Sequence, residues 1–403
     1  MNIILGHNYY GSSSPSGENM AFDAEVLLLR QHGHTLTQLV RHNDEIRNQG
    51  VWGCVRGALS APWNPFSEWA TEQLSRTKSF DILHIHNTFP LLSPSVFYAA
   101  KNSRPATVLT LHNFRTFCAA GILMREGRPC TECLDKRSVG PALRHKCYRG
   151  GIFATAPLAT MIWLHRTLKT WEKQVDAFIA LTEFQKYILC NAGLPSARVF
   201  VKPNFYPTPP EPLPWGERIR KVAFIGRLSV EKGCNVLIKT WKLWGREAPL
   251  LEIIGDGPER SKLEDSVSAA GLSKKIIFRG QLSFNEAQTR LSTARLLVIP
   301  SLCFEGFPMV IREAFAFGIP VVASRLGSMP WIIAEESTGT LFQPGDAKDL
   351  LDKIQNIWEN DHKLSTMGTN ARESFLQKYT ADVNYNELIQ IYQFAIDYRN
   401  KKF

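Results

Sequence analysis

Phe304 to Gly318 reads FEGFPMVIREAFAFG and holds two carboxylates, a helix start and a helix stop within fifteen residues. Ahead of it, Ala294 to Pro300 (ARLLVIP) is apolar, too short for most helices and bounded by a turn, the pattern of a buried parallel strand. Behind it, Ile319 to Ser324 (IPVVAS) repeats that pattern. Pro308 falls at the favoured first helical position, and Gly318, followed by Pro320, at a left-handed stop, so the segment predicts strand, loop, helix, strand. Ligands of such units sit outside the carboxyl ends of the strands. Glu305 lies in the loop there, and Glu313, eight residues on, lies one to two turns into the helix on a face that can reach the same cleft. The N–H groups of Met309 and Val310 at the helix start favour an anion, most simply a phosphate.

The alternation is regular upstream. Val222 to Ile225 leads to Gly226-Arg227-Leu228 and Glu231-Lys232-Gly233; Leu250 to Ile254 leads to Gly255-Asp256-Gly257-Pro258; Ile276 to Phe278 leads to Arg279-Gly280-Gln281-Leu282. A helical pattern follows each loop, and Val321 to Ala323 is the last strand expected. Loops at the carboxyl ends of parallel strands open on one side of a sheet. Arg227 and Lys232, five residues apart on one loop, can bind a single diphosphate, the arginine as a fork and the lysine as a point charge. An arginine and a lysine in a loop are usually just solvated, as are paired carboxylates on a helix. The order and spacing of all four loops give the pattern its specificity.

GRLSVEKG, GDGP, FRGQL and EGFPMVIRE, in that order, resemble the retaining nucleotide-sugar glycosyltransferases of family 4. Their signature is Glu, seven residues, Glu, opening with Gly-Phe-Gly/Pro, and stands here as Glu305, Gly306, Phe307, Pro308 and Glu313. The resemblance implies an α/β chain with the GT-B fold, two Rossmann-like doubly wound parallel-sheet domains facing a central cleft. It implies a UDP- or GDP-sugar donor and a glycan or lipid-linked acceptor, in bacterial surface polysaccharide or glycoconjugate biosynthesis. Arg227, Lys232 and the helix start with Met309 and Val310 would hold the diphosphate. Glu305, with backbone groups of Phe307 and Pro308, would hold sugar hydroxyls, Glu313 the ribose, and backbone around Arg279 and Leu282 the base. No cofactor or metal is required for that chemistry. A nucleotide-sugar epimerase of the same architecture and a non-catalytic basic binding protein are the alternatives.

In the first half, Asn2 to Gly6 reads as a buried strand, His7 to Asn19 as a Gly/Ser/Pro-rich loop, and Glu18 to Gln31 as a helix stopped by Gly33. Family members carry a glycine-rich loop there for the donor pyrophosphate, and Ser16, Gly17 and Glu18 stand in its place with one glycine instead of two. Asp81 to His86 (DILHIH) and Thr107 to His112 (TVLTLH) are strands that end in His86 and His112. A lone buried histidine is more often a satisfied core residue than a catalyst; two at strand ends in one domain weigh toward function. Leu111-His112-Asn113 resembles the family's His-Asp/Asn pair against the transferred sugar. Val175 to Leu181 and Arg198 to Val201 complete this domain's strands.

Asn204 to Gly216 contains five prolines in thirteen residues, which excludes helix and central strand. The expected organisation is therefore an acceptor-side domain over 1–205 with an insertion at 114–151, a linker over 206–217, a donor domain over 218–380, and a terminal helix over 381–403 that could return to the first domain.

At 403 residues, 44% hydrophobic and 21% charged, the chain is globular and suits two domains. No apolar run reaches the roughly 18 residues of a membrane span. The start, MNIILGHNYYGSSSPSGEN, lacks a basic leader and an apolar core, which points to a cytoplasmic protein. Residues 101–173 carry 13 Lys+Arg against 4 Asp+Glu, so one region is strongly basic and calls for an anionic partner. Nucleic acid would leave the carboxylates of the second half unexplained, whereas an anionic membrane surface fits. Ile152 to Leu164, followed by His165, Arg166, Lys169 and Lys173, reads either as an interfacial helix with a cationic flank or as a core helix. Cys118, Cys130, Cys133 and Cys147, spaced C-x11-C-x2-C-x13-C, can be plain thiols or the ligands of a structural zinc.

Overall fold

The computed structural model describes residues 1–11, 16–99 and 105–402. The chain divides into two compact units: Met1–Leu123, Cys130–Pro207 and Ala381–Phe403 form the first, Met124–Pro129 and Thr208–Thr380 the second.

The first unit contains β1 (Asn2–Tyr9), α1 (Gly17–Gln31), β2 (Thr35–His42), α2 (Asp44–Arg47), α3 (Gly50–Ser60), α4 (Pro65–Thr77), β3 (Ile82–Asn87), β4 (Ala106–Leu111), α5 (Ile152–Thr167), β5 (Ala177–Ala180) and β6 (Val199–Val201). Its sheet runs β2-β1-β3-β4-β5-β6, all parallel. β3, β4 and β5 are buried along their whole length, and β4 and β5 accordingly read as largely apolar runs, while β3 carries His84, His86 and Asn87 into the interior. β2 was not legible: at the sheet edge its TLTQLVRH is only half-buried, so no apolar run announces it.

The second unit contains β7 (Lys221–Ile225), α6 (Cys234–Trp244), β8 (Leu250–Ile254), α7 (Arg260–Ala269), β9 (Ile276–Gly280), α8 (Phe284–Ser292), β10 (Leu296–Ile299), α9 (Met309–Ala316), β11 (Val321–Ser324), β12 (Gly339–Phe342), α10 (Ala347–Trp358) and α11 (Asp361–Lys378). Its parallel sheet runs β9-β8-β7-β10-β11-β12. The expected last strand, Val321 to Ala323, is followed by a further one, β12. Chain direction along the sheet reverses between β7 and β10, and that topological switch point is where an open α/β sheet leaves a crevice for ligand.

The last helix, α12 (Ala381–Lys401), belongs to the first unit, where Leu388, Ile391, Tyr392 and Ala395 share a core with Ile3, Leu5, Ile82, Val108 and Ile179. One expectation is corrected in detail. Pro308 is the residue before the helix, with φ −68° and ψ 105°, and α9 begins at Met309. A proline's fixed φ serves either position, and its missing N–H is no loss at a helix end, where the first amides have no intrahelical partner.

Candidate functional site

In the second unit Lys232 and Glu305, two of the residues singled out in sequence, meet at the β7/β10 switch point. Lys232, on the loop after β7, donates from Nζ to Glu305 Oε1 at 2.6 Å, and Ser301 Oγ donates to the same oxygen at 2.8 Å. The loop that carries Lys232 rests on the end of β10, since Leu302 N donates to Glu231 O at 2.8 Å. Gly233 makes that approach possible. Its φ is +70°, and a Cβ there would stand 1.8 Å from Pro300 O. The Glu-Lys-Gly order therefore has a steric cause: glycine permits both the left-handed turn and the contact that brings the lysine beside the carboxylate.

Arg227 is exposed, and its side chain has no partner among the described residues. Its loop is held by Gly226 N to Ile254 O at 3.0 Å and Leu228 N to Asp256 O at 2.9 Å, which tie it to the Gly255-Asp256-Gly257 turn. Burial lowers the Lys232 pKa, but Glu305 beside it outweighs this and raises it above the usual lysine value. The site thus holds a fixed ion pair, an uncommitted guanidinium and the start of α9 with Met309 and Val310.

Phe307 is buried beside Tyr379, with ring centroids 5.7 Å apart. Glu313 lies deeper in α9, accepting from buried Gln288 Nε2 of α8 at 2.8 Å and from Arg312 Nη2 at 3.4 Å. Arg279 is held by Glu252, Nε to Oε1 at 2.6 Å, and Leu282 stands half-buried before α8, whose start Ser283 and Glu286 cap reciprocally. Sequence reasoning missed Glu252. This buried carboxylate in β8 also accepts from Lys221 at 2.5 Å and Arg290 at 2.8 Å, and those cations hold its pKa low against the burial that would raise it. A lone glutamate within an apolar strand was the available signal.

The first unit places His112 just beyond β4, its Nε2 3.1 Å from His86 Nδ1. His86 Nε2 lies 3.0 Å and His84 Nδ1 3.1 Å from Glu25 Oε1, while Lys202 Nζ donates to Glu25 Oε2 at 3.1 Å and to Asn384 Oδ1 at 2.9 Å. Among the described residues, Glu25, His84 and His86 are the one group of three whose ligand atoms lie within 4.8 Å of one another. The Lys202 ammonium already neutralises that carboxylate, so the cluster is a paired buried network and not a metal site. Burial lowers the pKa of His84 to about 4, and burial with His86 holds His112 well below the usual histidine value.

Gly17 opens α1, with Ser16 Oγ accepting from Glu18 N at 3.2 Å. Asn113 Nδ2 donates to Glu18 Oε1 at 2.8 Å, and burial raises the Glu18 pKa. Residues 12–15 of the loop read as pyrophosphate-binding lie outside the described residues.

The four insertion cysteines are neighbours. Burial comes first in pushing the Cys133 thiol up to about 11, followed by Cys118, with Cys147 and Cys130 adding to it. Tetrahedral zinc with sulfurs at about 2.3 Å would need them about 3.8 Å apart. No three of these thiols meet even within 4.8 Å. Backbone bonds such as Cys130 N to Leu123 O at 2.7 Å and Cys147 N to Ala142 O at 3.1 Å hold the turns as they stand, with the sulfurs not closed on a common point.

The family model "Glycosyltransferase Family 4" matches residues 26–208, and the model "Glycosyl transferases group 1" matches 209–374. An uncharacterized glycosyltransferase of Methanocaldococcus jannaschii is 31% identical over 185 residues, 44% of this chain and 46% of that protein. The 2-deoxystreptamine N-acetyl-D-glucosaminyltransferase of Niallia circulans is 27% identical over 175 residues, 43% of this chain and 45% of that protein. These alignments thus span less than half the length of either relative. In fold, the chain is similar to HepE of Anabaena, solved in complex with UDP, with TM-score 0.66 and 17% identity over 97% of this chain and 99% of that one. The sucrose-phosphate synthase of Thermosynechococcus elongatus gives TM-score 0.67 over 98% of both chains.

Proposed function

The chain belongs to glycosyltransferase family 4 and has the GT-B fold, and from that premise we propose that it transfers a sugar, with retention, from a UDP- or GDP-sugar to a glycan or lipid-linked acceptor. The observation that carries this reading is the Lys232–Glu305 pair at the switch point of the second unit, with Lys232 on the same loop as unpartnered Arg227. A departing nucleoside diphosphate gathers negative charge in the transition state, and fixed cations and helix N–H groups aimed at it lower the barrier. Arg227 and Lys232 supply the cations. Glu305, anchored by Lys232 and Ser301, keeps one oxygen for a sugar hydroxyl, and Glu313 serves the ribose. In a same-face displacement the acceptor O–H adds to the anomeric carbon, the bond to phosphate breaks, and the leaving phosphate oxygen takes the acceptor's proton. No residue of the chain need form a covalent intermediate.

HepE is described with UDP and with UDP-glucose, which supports a nucleotide-sugar donor here. The basic region and the apolar surface described below support work at an anionic cytoplasmic membrane face, as in assembly of surface polysaccharide. No helix among the described residues is long and apolar enough to cross a membrane. The deciding experiment is incubation with a panel of nucleotide sugars, following nucleoside diphosphate release with and without lipid-linked acceptor. Acceptor-dependent release supports the reading. Interconversion of the sugar without transfer would establish the epimerase instead, and inertness toward every donor would leave a binding protein.

A further inference from the structure

In the first unit, helix α3 is built the wrong way round for a globular surface. Its only buried residues are Gly53 and Gly57, while Val51, Trp52, Val55 and Leu59 point to solvent, Trp52 being 80% exposed. On α4, Phe66 and Trp69 are exposed as well, and on α5 Phe153 is 92% and Trp163 56% exposed. The opposite face of α5 is core: Leu158, Met161 and Ile162 pack with Ala119 and Ala142. One face of that helix is thus core, and the other is apolar and exposed. Contiguous exposed aromatic and aliphatic groups of this kind mark an interaction surface.

Between α2, α3 and α5 lies a groove with about 1020 Å³ of empty space, open to solvent. Ile46, Ala58, Phe153, Pro157 and Leu158 make apolar walls, and the small Gly57 and Ala58 keep it open. Its charged lining residues are Arg47 and Arg149, with no carboxylate among them. Arg47 has Asp44 nearby at 3.9 Å, and Arg149 stacks on Tyr148 at 5.4 Å. An apolar trough with cationic lining fits a chain that ends in an anion.

The inner end of the groove gives the chain a destination. Phe89 lines it and also lines a second, smaller pocket formed with His86, His112, Asn113 and Arg115. The Arg115 guanidinium lies 4.5 Å over the Phe89 ring and 5.6 Å from that of Tyr148, and its Nε is buried with no hydrogen-bond partner. An unsatisfied buried cationic donor costs free energy that an incoming oxyanion would recover.

We infer that this groove binds the apolar chain of a lipid-linked phosphate acceptor, with Arg149 and Arg115 on the phosphate and the head group delivered to the pocket that contains His112. The inference rests on the transferase reading for the identity of the head group but not for the binding itself. The exposed side chains of α3 and α5 dip into the bilayer surface around the trough, as amphipathic interfacial helices do.

Cys54 is exposed and lines the groove, so it reports occupancy. We would alkylate the full chain and map Cys54 by mass spectrometry in the presence of farnesyl phosphate. Saturable protection is expected, with farnesol or inorganic phosphate about tenfold less effective, since neither supplies both the apolar and the charged contacts. Ala58→Trp, filling the groove, should abolish protection, Arg115→Met should weaken it about tenfold, and Lys232→Ala should leave it unchanged. Melting by circular dichroism checks that each variant is folded, with Phe153→Ser at the rim as a second groove variant. No protection, or equal protection in wild type and both groove variants, overturns the assignment. Equal protection by phosphatidylglycerol reassigns the groove to bulk lipid, and protection only by a protein fraction makes it a protein interface. Protection that persists while every nucleotide sugar proves inert would sink the transferase reading and keep the groove.

Discussion

Lys232 Nζ stands 2.6 Å from Glu305 Oε1, and the pair joins the loop after β7 to the loop after β10 across the switch point of the second unit. Either residue alone looks ordinary in sequence. Together they form a fixed dipole whose cationic end can serve a phosphate and whose anionic end can serve a hydroxyl. The lysine pKa is raised, so the pairing is fully present below the ordinary lysine value and is lost only as pH rises through the higher folded value. Its charge is therefore constant through the neutral range.

Removing Lys232 or Arg227 by alanine should each lower donor turnover by about one to three orders of magnitude, equivalent to roughly 2 to 4 kcal/mol of leaving-group stabilisation. Glu305→Gln should lose turnover while calorimetry still detects nucleoside diphosphate binding. Near-normal rates in both cation variants would remove the diphosphate assignment, and lost nucleotide binding in Glu305→Gln with transfer only slowed would mean that Glu305 and Glu313 have exchanged roles.

Gly233→Ala should be more damaging than its size suggests. The substitution meets both a left-handed φ and a backbone oxygen 1.8 Å from the new Cβ, and neither is a flexible side chain that can swing away. We expect a loss of about 2 kcal/mol or more in urea unfolding, with turnover reduced toward that of Lys232→Ala because the lysine loop must lift from β10. Wild-type stability and turnover would refute the close approach.

The histidine network of the first unit should make stability fall on the acid side. Burial lowers the His84 pKa from 6.5 to about 4, so between these values the unfolded chain takes up a proton that the folded chain refuses. Stability is complete above the unfolded value and declines as pH drops toward the folded one. The groups around His84 are Glu25, His86, Lys202, Tyr392 and Thr110. Melting temperature should fall as pH drops from about 7 to about 5, and His84→Gln should flatten that slope. An unchanged slope in the variant would clear His84 of responsibility.

How much of this was legible follows from where each signal lives. The buried strands β7, β8, β10 and β11 are largely apolar runs because both faces are covered, and the loops after β7 and β8 carry glycines with steric duties, so the donor-side layout could be read directly. The edge strand β2 and helix α3 could not. The first is half-polar, and the second turns its apolar residues outward, against the rule that amphipathic patterns report the core. Glu25, which gathers His84, His86 and Lys202, lies in an ordinary helical sequence and acquires its meaning only when residues as distant as Lys202 arrive. His86 and His112 were found because each ends a strand, whereas Glu25 and Lys202, which complete the network, were not.

Glu252 should prove the main polar determinant of stability in the second unit. It accepts from Lys221, which is buried, and from Arg279 and Arg290, which are about a third exposed and so weaker contributors. Glu252→Gln keeps the shape and removes the charge, leaving Lys221 unpaired in the sheet, at a cost of about 3 kcal/mol. Urea denaturation measures it. A change below about 0.5 kcal/mol would mean that solvent already screens the cluster.

The insertion cysteines give the last test. With its thiol pushed up to about 11, Cys133 carries a thiolate fraction of only about one in a thousand at pH 8. Alkylation by iodoacetamide should therefore reach exposed Cys54 well before Cys133, and raising the pH toward 10 should speed Cys133 by about two orders of magnitude, one for each unit. Elemental analysis of protein purified without added metal decides the remaining question independently. Freely titrating thiols and no zinc match sulfurs that never come within 4.8 Å as a group of three. One zinc per chain, with Cys133 silent to alkylation at every pH and released by a chelator, would show that the four sulfurs close further than their turns here allow.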